Sequence, residues 1–327
     1  MTSPEIICLG ELLIDFVSSD SDVSLWQSSG FVRAAGGAPA NVAVGARRLG
    51  AATGFIGKVG ADPFGVFLQK TLEAEGVDTQ LLITGQTART TLSFVAKKTD
   101  GARDCIFYRH PGADMLLDAC EIKEDYFEEA QIFHFGSISL SAPRCLEATV
   151  KAVEYARKHN LIVSYDPNLR MDLWDDPENA REKINRGFGL ADVVKVSSEE
   201  SAFILGTDNP EISAEAILRK GAKLVVVTMG GEGCYYTDGI TSGYLPGYCV
   251  TSVEFTGAGD SFVSAMLYHL LQRKKKKGDN ALTVDEELVS AFDFANGAGA
   301  LATTKLGAIP SMPLFHEVLE LLRGGNK

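Results

Sequence analysis

The feature that most constrains the fold of this 327-residue chain is a repeated alternation of short apolar runs with stretches of helical periodicity. Apolar runs bounded by glycine or polar residues predict buried strands, and apolar residues three and four positions apart predict helices. The predicted strands are Ile6–Leu9, Thr53–Val59, Ile132–Phe135, Leu161–Tyr165, Asp192–Ser197 and Ala222–Met229. The predicted helices are Pro39–Leu49, Asp62–Glu75, Glu121–Glu129, Pro143–Lys158, Ser261–Lys277 and Phe292–Thr304. Because parallel strands need crossover connections, the alternation predicts an α/β fold with a doubly wound, mostly parallel sheet flanked by helices.

One segment interrupts the alternation and predicts a β-hairpin. Thr91–Ala96 and Cys105–Tyr108 have strand character and flank Asp100-Gly101, a dipeptide typical of hairpin turns. An antiparallel hairpin inserted among strand–helix units is a candidate lid over a ligand site. The alternative is an edge hairpin with no role in function.

A run of small residues, Thr256-Gly257-Ala258-Gly259, precedes Asp260 and an apolar helical pattern. We expect a tight loop that opens onto the N-terminus of a buried helix. Unpaired N–H groups and the helix dipole make such a terminus an anion site, and the two glycines let a phosphate come close. A carboxylate is a poor phosphate ligand, so Asp260 is better explained as a base for a hydroxyl that attacks the phosphate. The alternative is an Asp that only caps the helix.

Charge and composition exclude some classes of partner. The formal net charge of −12 argues against nucleic acid or an anionic membrane surface as the main partner. The N-terminus lacks the basic segment of a leader, and no apolar run approaches the roughly 20 residues of a membrane span, so we expect a cytoplasmic protein. The six cysteines are scattered without a Cys-x-x-Cys pair, which favours buried free thiols over disulfides or zinc ligands.

Two short motifs resemble the signatures of a known family, the ribokinase-like (PfkB) carbohydrate kinases. Gly257–Phe262 resembles the second signature, and Gly36–Asn41 matches the Gly-Gly-x-x-x-Asn turn of the first. They occur in the expected order, and the resemblance extends from about Leu9 to Pro313. It implies a single kinase domain over residues 1–327 with a small antiparallel β lid formed by about residues 12–35 and 88–115. It also implies a catalytic site made of the base Asp260 and the backbone of Gly257, Ala258 and Gly259.

The resemblance further implies a sugar site. An Asp in the position of Asp15 hydrogen-bonds sugar hydroxyls in the family, although a buried Asp paired with backbone is the alternative. Phe107–Asp114 resembles a Tyr-Arg-x-Pro-x-Ala-Asp stretch typical of fructokinases, and Asp166–Arg170 resembles a run found in fructokinases and 2-keto-3-deoxygluconate kinases. A solvated loop Arg is the alternative for Arg170. The expected sugar-binding residues are Asp15, Gly36, Gly37, Asn41, Arg109 and Arg170.

ATP and Mg²⁺ are the cofactors that the resemblance implies. The Thr-x-Gly-x-x-Gly run that begins at Thr228 contacts the nucleotide in the family, with a plain hairpin turn as the alternative. The expected nucleotide-binding residues are Lys195, Thr228, Gly230, Gly233 and Asn296. Glu200 matches a family Glu that orders the water shell of the magnesium ion, although Ser197 stands where Asn is common. The alternative is a helix whose first acidic turn complements the dipole.

One departure from the family pattern concerns potassium. Many members carry Asp-Thr-Thr where this chain has Glu254-Phe255-Thr256. In relatives activated by potassium, that Asp helps to hold the ion. Glu254 moves the charge outward by one methylene, and the ring of Phe255 is expected to crowd the loop or pack under the sheet. A K⁺ site is therefore left open, and we expect a weak potassium dependence.

The combined interpretation is an ATP-dependent sugar kinase that converts fructose to fructose 6-phosphate. A 2-keto-3-deoxygluconate kinase or a nucleoside kinase would use much the same scaffold. A non-catalytic sugar-binding protein and an NAD-dependent oxidoreductase are the alternatives from other classes. Gly297–Ala302 fits the pattern Gly-x-Gly-x-x-Ala, but it lies inside a helical run instead of after a strand, which disfavours the oxidoreductase. The partners expected are the sugar and ATP, with a homodimer through the open edge of the lid as an option.

Overall fold

The computed structural model describes residues 3–97, 103–174 and 176–325, and its strands and helices alternate as the sequence predicts. In chain order the strands are β1 (Ile6–Leu9), β2 (Leu13–Ser18), β3 (Phe31–Gly36), β4 (Thr53–Gly60), β5 (Leu82–Gly85), β6 (Leu92–Lys97), β7 (Arg103–Tyr108), β8 (Ile132–Gly136), β9 (Ile162–Asp166), β10 (Val193–Ser197), β11 (Leu224–Thr228), β12 (Cys234–Thr237) and β13 (Ser242–Leu245). The helices are α1 (Ala38–Leu49), α2 (Pro63–Ala74), α3 (Pro143–Lys158), α4 (Pro177–Phe188), α5 (Ser198–Leu205), α6 (Pro210–Leu218), α7 (Ala258–Lys277), α8 (Glu286–Ala302), α9 (Ala308–Ser311) and α10 (Phe315–Gly324).

The larger sheet has nine strands in the order β13-β12-β11-β10-β9-β8-β1-β4-β5. The pairs from β11 to β5 are parallel, whereas β12 and β13 add an antiparallel edge. The expectation of a doubly wound, mostly parallel sheet is confirmed. From β1 the chain adds β4 and β5 on one side of the sheet, and it then adds β8 to β13 on the other side. This reversal of strand order opens a crevice at the carboxyl ends of the strands, where ligands bind in such folds.

The apolar strands are buried because helices cover both faces of this sheet. Along β1, Ile6 and Cys8 belong to a core with residues of α1, α7 and α8, while Ile7 and Leu9 belong to a second core with residues of α3 and α4. All four side chains are fully buried. Near-continuous apolar strands are the expected consequence, since neither face meets water.

The smaller sheet has four strands in the order β3-β2-β6-β7. The outer pairs are antiparallel as predicted, but the central pair, β2 with β6, is parallel. Phe16 and Phe94 stack across this central pair with ring centroids 4.9 Å apart, and Phe64 of α2 meets Phe16 edge-on. The predicted turn at Asp100-Gly101 lies outside the described residues. The parallel pair joins the two segments that the sequence assigns to one lid.

The predicted helix over Glu121–Glu129 is wrong. The chain forms two short 3₁₀ turns there, Ala119–Glu121 and Glu124–Phe127. The carboxylate of Glu121 accepts from the backbone N–H of Asp118 and from Nζ of Lys58. These contacts, with the burial of Phe127, fix a compact turn where the local sequence suggests a helix. Helix α8 begins earlier than predicted because Asp285 caps it by accepting from the N–H of Leu288.

The expectation about the cysteines holds only in part. All six cysteines are free, but Cys120 and Cys249 are exposed instead of buried. The basic end of α7 is paired with acids as well as solvated, since Lys277 lies 2.6 Å from Asp285 and the buried Arg273 lies 2.7 Å from the same carboxylate. In the part of the chain that the structure describes, the helices are too short or too polar to cross a membrane.

Candidate active site

The candidate site lies where strands β8 to β11 end and where helices α1 and α7 begin. Gly257 forms the N-cap of α7 with φ of +86°, a conformation that glycine adopts without strain. Ala258 and Gly259 already belong to the helix, so the loop ahead of Asp260 is shorter than the sequence suggests. The first turn of α7 therefore lies at this crevice, with the N–H of Ala258 donating to the carbonyl oxygen of Phe255 at 3.3 Å, and the anion site stays a prediction.

Asp260 is the centre of the arrangement and is 5% exposed. Nδ2 of Asn41 donates to one carboxylate oxygen at 2.8 Å, and Nδ2 of Asn168 donates to the other at 2.7 Å. Burial raises the pKa of Asp260, while the bond from Asn41 and the cations of Arg170 and Lys195 oppose the rise. A carboxylate has about four acceptor positions, so both oxygens can still accept from a substrate hydroxyl. The residue is thus a buried carboxylate that is held at both oxygens, and it is the candidate base.

A buried ion pair stands beside this base. Nζ of Lys195 lies 3.1 Å from Asp166, and both side chains are almost inaccessible to water. Burial raises the pKa of Asp166 against the pull of Lys195. Burial acts to lower the pKa of Lys195, but the carboxylates of Asp166, Glu200 and Asp260 outweigh it and hold that pKa above its usual value. Lys195 therefore stays charged.

Lys195 also reaches the first turn of α7. A Cβ built on Gly259 would lie 3.2 Å from Nζ of Lys195, so a side chain there would crowd the ammonium. Because Gly259 has no side chain, the ammonium of Lys195 can lie close to the N-terminus of α7. An ammonium beside the N-terminus of a helix is a suitable environment for a phosphate group.

Glu200 lies in the first turn of α5, and both of its oxygens accept backbone N–H groups. One accepts from Ser197 at 2.8 Å and completes a capping box, and the other accepts from Leu169 at 2.7 Å. Glu199 and Glu200 lie in the first turn of α5, as in the alternative of acids that complement the helix dipole, and Glu200 in addition completes the cap. The contact with Leu169 also ties α5 to the loop after β9.

The Gly36-Gly37 turn joins β3 to α1 and packs against the segment after β1. Gly37 has φ of +115°, and a Cβ on it would lie 2.3 Å from the carbonyl oxygen of Glu11. A Cβ on Gly36 would lie 2.2 Å from the carboxylate of Asp15, which explains why both positions are glycine. Asp15 and this turn are thus neighbours, as a shared sugar site requires.

Glu11 supports the same turn and was missed in the sequence. Its carboxylate accepts from the backbone N–H of Ala38 at 2.9 Å, at the N-terminus of α1. The other oxygen, Oε2, is buried without a hydrogen-bond partner. Burial raises the pKa of Glu11 to about 7, with Asp114 adding to the rise and Arg109 opposing it. Nothing in the apolar stretch around Glu11 signals a buried carboxylate, because the contact with Ala38 forms only in the folded chain.

The two arginines assigned to the sugar occupy different environments. Arg109 is 4% exposed, and it donates to Asp114 at 2.7 Å and to Ser141 at 3.0 Å. Two of the five N–H donors of its guanidinium are therefore used by these protein partners. Arg170 is exposed, yet its charge acts on Asp260. Of the two, Arg170 has the freedom to meet a ligand.

The residues assigned to the nucleotide gather at the end of β11 and around the segment after β13. Thr228 is the last residue of β11, and Gly230 follows it with φ of +57° in open space. A Cβ on Gly233 would lie 2.0 Å from the carbonyl oxygen of Leu245. Asn296 of α8 donates to the carbonyl of Pro246 at 3.3 Å. Lys195 lies apart from them, with the phosphate-binding candidates.

Asp166 and Asn168 are the other site residues that the sequence analysis did not assign. Their signal was visible as polar residues at the end of a predicted parallel strand. Their partners were not visible, because Asn168 reaches Asp260 over a sequence separation of 92. Within the described residues, no group of three or more His, Cys, Asp or Glu is arranged to hold a metal ion by itself.

Comparison with known proteins gives a consistent result. Residues 3–314 match the pfkB family carbohydrate kinase profile. Fructokinase-1 of Zea mays is 43% identical, over 97% of this chain and 97% of its own length. The crystal structure of a fructokinase from Xylella fastidiosa with bound ATP has a TM-score of 0.89 and 36% identity, covering 98% of this chain and 99% of that one. A double mutant of the Vibrio cholerae O395 fructokinase, with fructose, ADP and potassium ion bound, has a TM-score of 0.86 and 34% identity, covering 98% and 100%.

The buried carboxylate of Glu11 predicts a specific pH dependence of stability. A raised folded-state pKa means that the fold prefers the neutral acid, so stability is lost as pH rises from about 4.5 to about 7. Glu11→Gln keeps an acceptor for the Ala38 N–H but cannot ionise. Urea unfolding at pH 5 and pH 8 measures the free energy of unfolding of both proteins. Between these pH values, the difference in this free energy should shift by about 2–3 kcal/mol in favour of the variant.

The matched control is Glu129→Gln, at an exposed position, which should follow the wild type at both pH values. Equal pH dependence in the wild type and in Glu11→Gln would show that Glu11 is not a buried acid.

Proposed function

This chain belongs to the pfkB family of carbohydrate kinases, and from that premise we propose that it is a fructokinase, which transfers the γ-phosphoryl group of ATP to fructose. The products are fructose 6-phosphate and ADP. The observation that carries the proposal is Asp260, a buried carboxylate in the first turn of a helix whose N-terminus also faces Lys195. A proton acceptor beside an anion site is what phosphoryl transfer to a hydroxyl needs.

In the proposed reaction Asp260 accepts the proton of the primary hydroxyl of fructose. The hydroxyl oxygen forms a bond to the γ-phosphorus, and the bond from that phosphorus to the bridging oxygen of ADP breaks. The backbone N–H groups of Gly257, Ala258 and Gly259 stabilise the charge on the transferring group, and Lys195 adds a positive charge. The raised pKa of Asp260 makes it a stronger proton acceptor than an ordinary Asp.

The nucleotide is proposed to bind across the ends of β10 and β11, with the adenine near the small-residue helix α8. Thr228, Gly230, Gly233 and Asn296 are the proposed contacts. Gly233 and Asn296 lie against the segment after β13, and Thr228 and Gly230 lie at the end of β11. The glycines leave backbone uncovered, and the open space around Gly230 gives room for a flat base or a ribose.

A magnesium ion fits the charges of this site. Asp166, Glu200 and Asp260 contribute three carboxylates against Lys195 and Arg170, so ATP would add negative charge to a site without a surplus of cations. Magnesium in such sites is held mainly by nucleotide phosphates and water, and it neutralises the phosphate charge. Glu200 and Asp166 are the proposed acceptors for its water shell.

The sugar is proposed to lie between the small sheet and the first turn of α7. Asp15, the backbone of Gly36 and Gly37, and Asn41 form one side of this space, and Arg170 approaches from the loop after β9. Arg109 contributes mainly by holding Asp114, which also accepts from Thr91 of the small sheet. We propose that the small sheet is the lid over this site within a single kinase domain.

Assembly and location are further parts of the proposal. The small sheet carries exposed apolar side chains, among them Val32, Ile106 and Tyr108, with 63%, 48% and 61% of their surface exposed. A second subunit would cover such residues, which supports a homodimer through the lid. The substrates expected, free hexose and ATP, favour the cytoplasm.

Removal of the proposed base should abolish most of the activity. Asp260→Asn keeps the shape but cannot accept a proton, so turnover should fall by about 100-fold or more. Steady-state kinetics measures the loss, and calorimetry should show nearly unchanged affinities for ATP and sugar. Asp279→Asn, at a fully exposed position, is the control and should retain full turnover. Near-normal turnover in Asp260→Asn would remove the base assignment.

The substrate proposal can be tested with competing acceptors. We expect a higher kcat/KM for fructose than for 2-keto-3-deoxygluconate, ribose or adenosine. A keto acid needs its carboxylate paired with a cation. Arg109 is already paired with Asp114, which leaves Arg170 as the candidate partner, and the fructokinase-like run from Arg109 to Asp114 favours fructose. The reverse order for any one of these acceptors would reassign the enzyme within the family.

We also propose a weak potassium dependence, which rests on the residues ahead of the anion site. Glu254 is 8% exposed and accepts from the N–H of Gly307 at 3.0 Å. The expectation that Phe255 packs under the sheet is wrong, because its side chain is 71% exposed. With this altered pair we expect turnover to change less than about threefold when potassium replaces a large organic cation at equal ionic strength. Strong, saturable activation would show that the loop still binds the ion.

A further inference from the structure

The loop after β9, residues 166–170, has a conformation that a free chain would rarely adopt. Asn168 has φ of +41°, in the left-handed region, which costs free energy for any residue with a Cβ and is tolerated best by Asn and Asp. Two contacts hold this conformation from either side. Asp166 accepts from the N–H of Asn168 at 3.1 Å, and Glu200 accepts from the N–H of Leu169 at 2.7 Å.

The result of this conformation is the position of one amide. Nδ2 of Asn168 donates to Asp260 at 2.7 Å. The second amide on Asp260 comes from Asn41, which lies on the regular helix α1 and is fixed by it. Asn168 has no helix or strand of its own to fix it, so its place depends on the contacts of its loop. Two hydrogen bonds tie the backbone of this loop to other elements: Glu200 accepts from Leu169 at 2.7 Å, and the N–H of Ser137 donates to the carbonyl oxygen of Pro167 at 3.3 Å. The contact with Glu200 is the shorter and lies directly beside Asn168.

We propose that Asn168 is a positioning residue for the base Asp260, and that Glu200 acts on catalysis through it, by holding Leu169 and thereby Asn168 in place. This inference rests on the proposed function, because it takes Asp260 as the base. It gives Glu200 a role that is separate from the water shell of a metal ion.

The direction in which the pKa of Asp260 changes when Asn168 is removed follows from the effect of an amide donor on a carboxylate. A donated N–H stabilises the ionised form, so its loss raises the pKa of Asp260 beyond the increase that burial already causes. The charged groups that act on Asp260 are Arg170 of the same loop, Lys195 of β10 and Asp166 of β9. A base must be ionised to accept a proton, so the acidic limb of the turnover profile should move to higher pH.

The direction in which the acidic limb moves when Glu200 is removed distinguishes a charge effect from a positioning effect. If Glu200 acted on Asp260 only through its charge, then removing that negative charge would lower the pKa of Asp260 and move the acidic limb to lower pH. If Glu200 acts by holding Asn168, its removal weakens the amide bond and moves the limb to higher pH. A role limited to the water shell of a metal ion would change the Mg²⁺ dependence and leave the limb in place.

The first experiment uses Asn168→Gly, because glycine accepts the positive φ and removes only the amide. Turnover is measured from pH 5 to 9 at saturating fructose, ATP and Mg²⁺. The midpoint of the acidic limb should move to higher pH by about one unit, which is the shift expected from the loss of one hydrogen bond to a charged group. At pH values below the limb, turnover should therefore fall about tenfold. The KM for ATP should not change. An unmoved limb would overturn the proposal.

The second experiment is a double-mutant cycle of Asn168→Gly with Glu200→Ala. Glu200→Ala alone should move the limb upward, and in the Asn168→Gly background it should cause no further rise. The role of Glu200 would be overturned if the two substitutions shifted the acidic limb upward additively, or if Glu200→Ala alone moved the limb to lower pH. Ser197→Ala is the matched control, because it breaks the same capping box without touching Leu169, and its limb should stay in place.

The outcome is distinguishable from a failure of the proposed function. If Asp260→Asn retained turnover, the base assignment itself would fail, and the profiles of the Asn168 and Glu200 variants would not concern that residue. If Asp260→Asn is inactive and the limb does not move in Asn168→Gly, the base stands and the positioning role is wrong. Circular dichroism of each variant identifies a loss of fold before the kinetics are interpreted.

Discussion

The carboxylate of Asp260 is the point at which three separate parts of the chain must meet. A buried charge is costly unless donors replace the water it loses. Here the donors are Asn41, at a sequence separation of 219, and Asn168, at a separation of 92. Helix α1, the loop after β9 and the first turn of α7 therefore reach their places together, and the site exists only when all three have done so.

The charges around this carboxylate are balanced through a single buried lysine. Lys195 pairs with Asp166, and its ammonium also lies close to Gly259 in the first turn of α7. A lysine held by one carboxylate keeps its charge in a buried place, and an anionic substrate can then use that charge without the cost of ordering a mobile side chain. This arrangement suits a family whose members act on phosphate groups.

The small sheet is attached to the site by steric and ionic contacts. The Gly36-Gly37 turn fits against Glu11 and Asp15 only because neither position has a Cβ. Arg109 and Asp114 form a buried pair at the other end of the sheet, and Thr91 donates to the same Asp. The parallel pairing of β2 with β6 joins these two ends, so the small sheet is attached both at the Gly36-Gly37 turn and at the Arg109–Asp114 pair.

The sequence alone determined the elements whose signal is local. Apolar strands, helix caps such as Asp62 and the glycines before Asp260 depend on periodicity and on backbone chemistry within a few residues, and the structure confirms them. The local signal failed at residues 121–129, where the contact of Glu121 with Lys58 outweighs helical propensity. The position of Asp260 was visible in the sequence, but what holds it was not. Only the tertiary structure shows that Asn168 donates to Asp260, that Glu200 accepts from Leu169 and that Glu11 accepts from Ala38, because hydrogen bonds between residues far apart in the chain leave no local pattern.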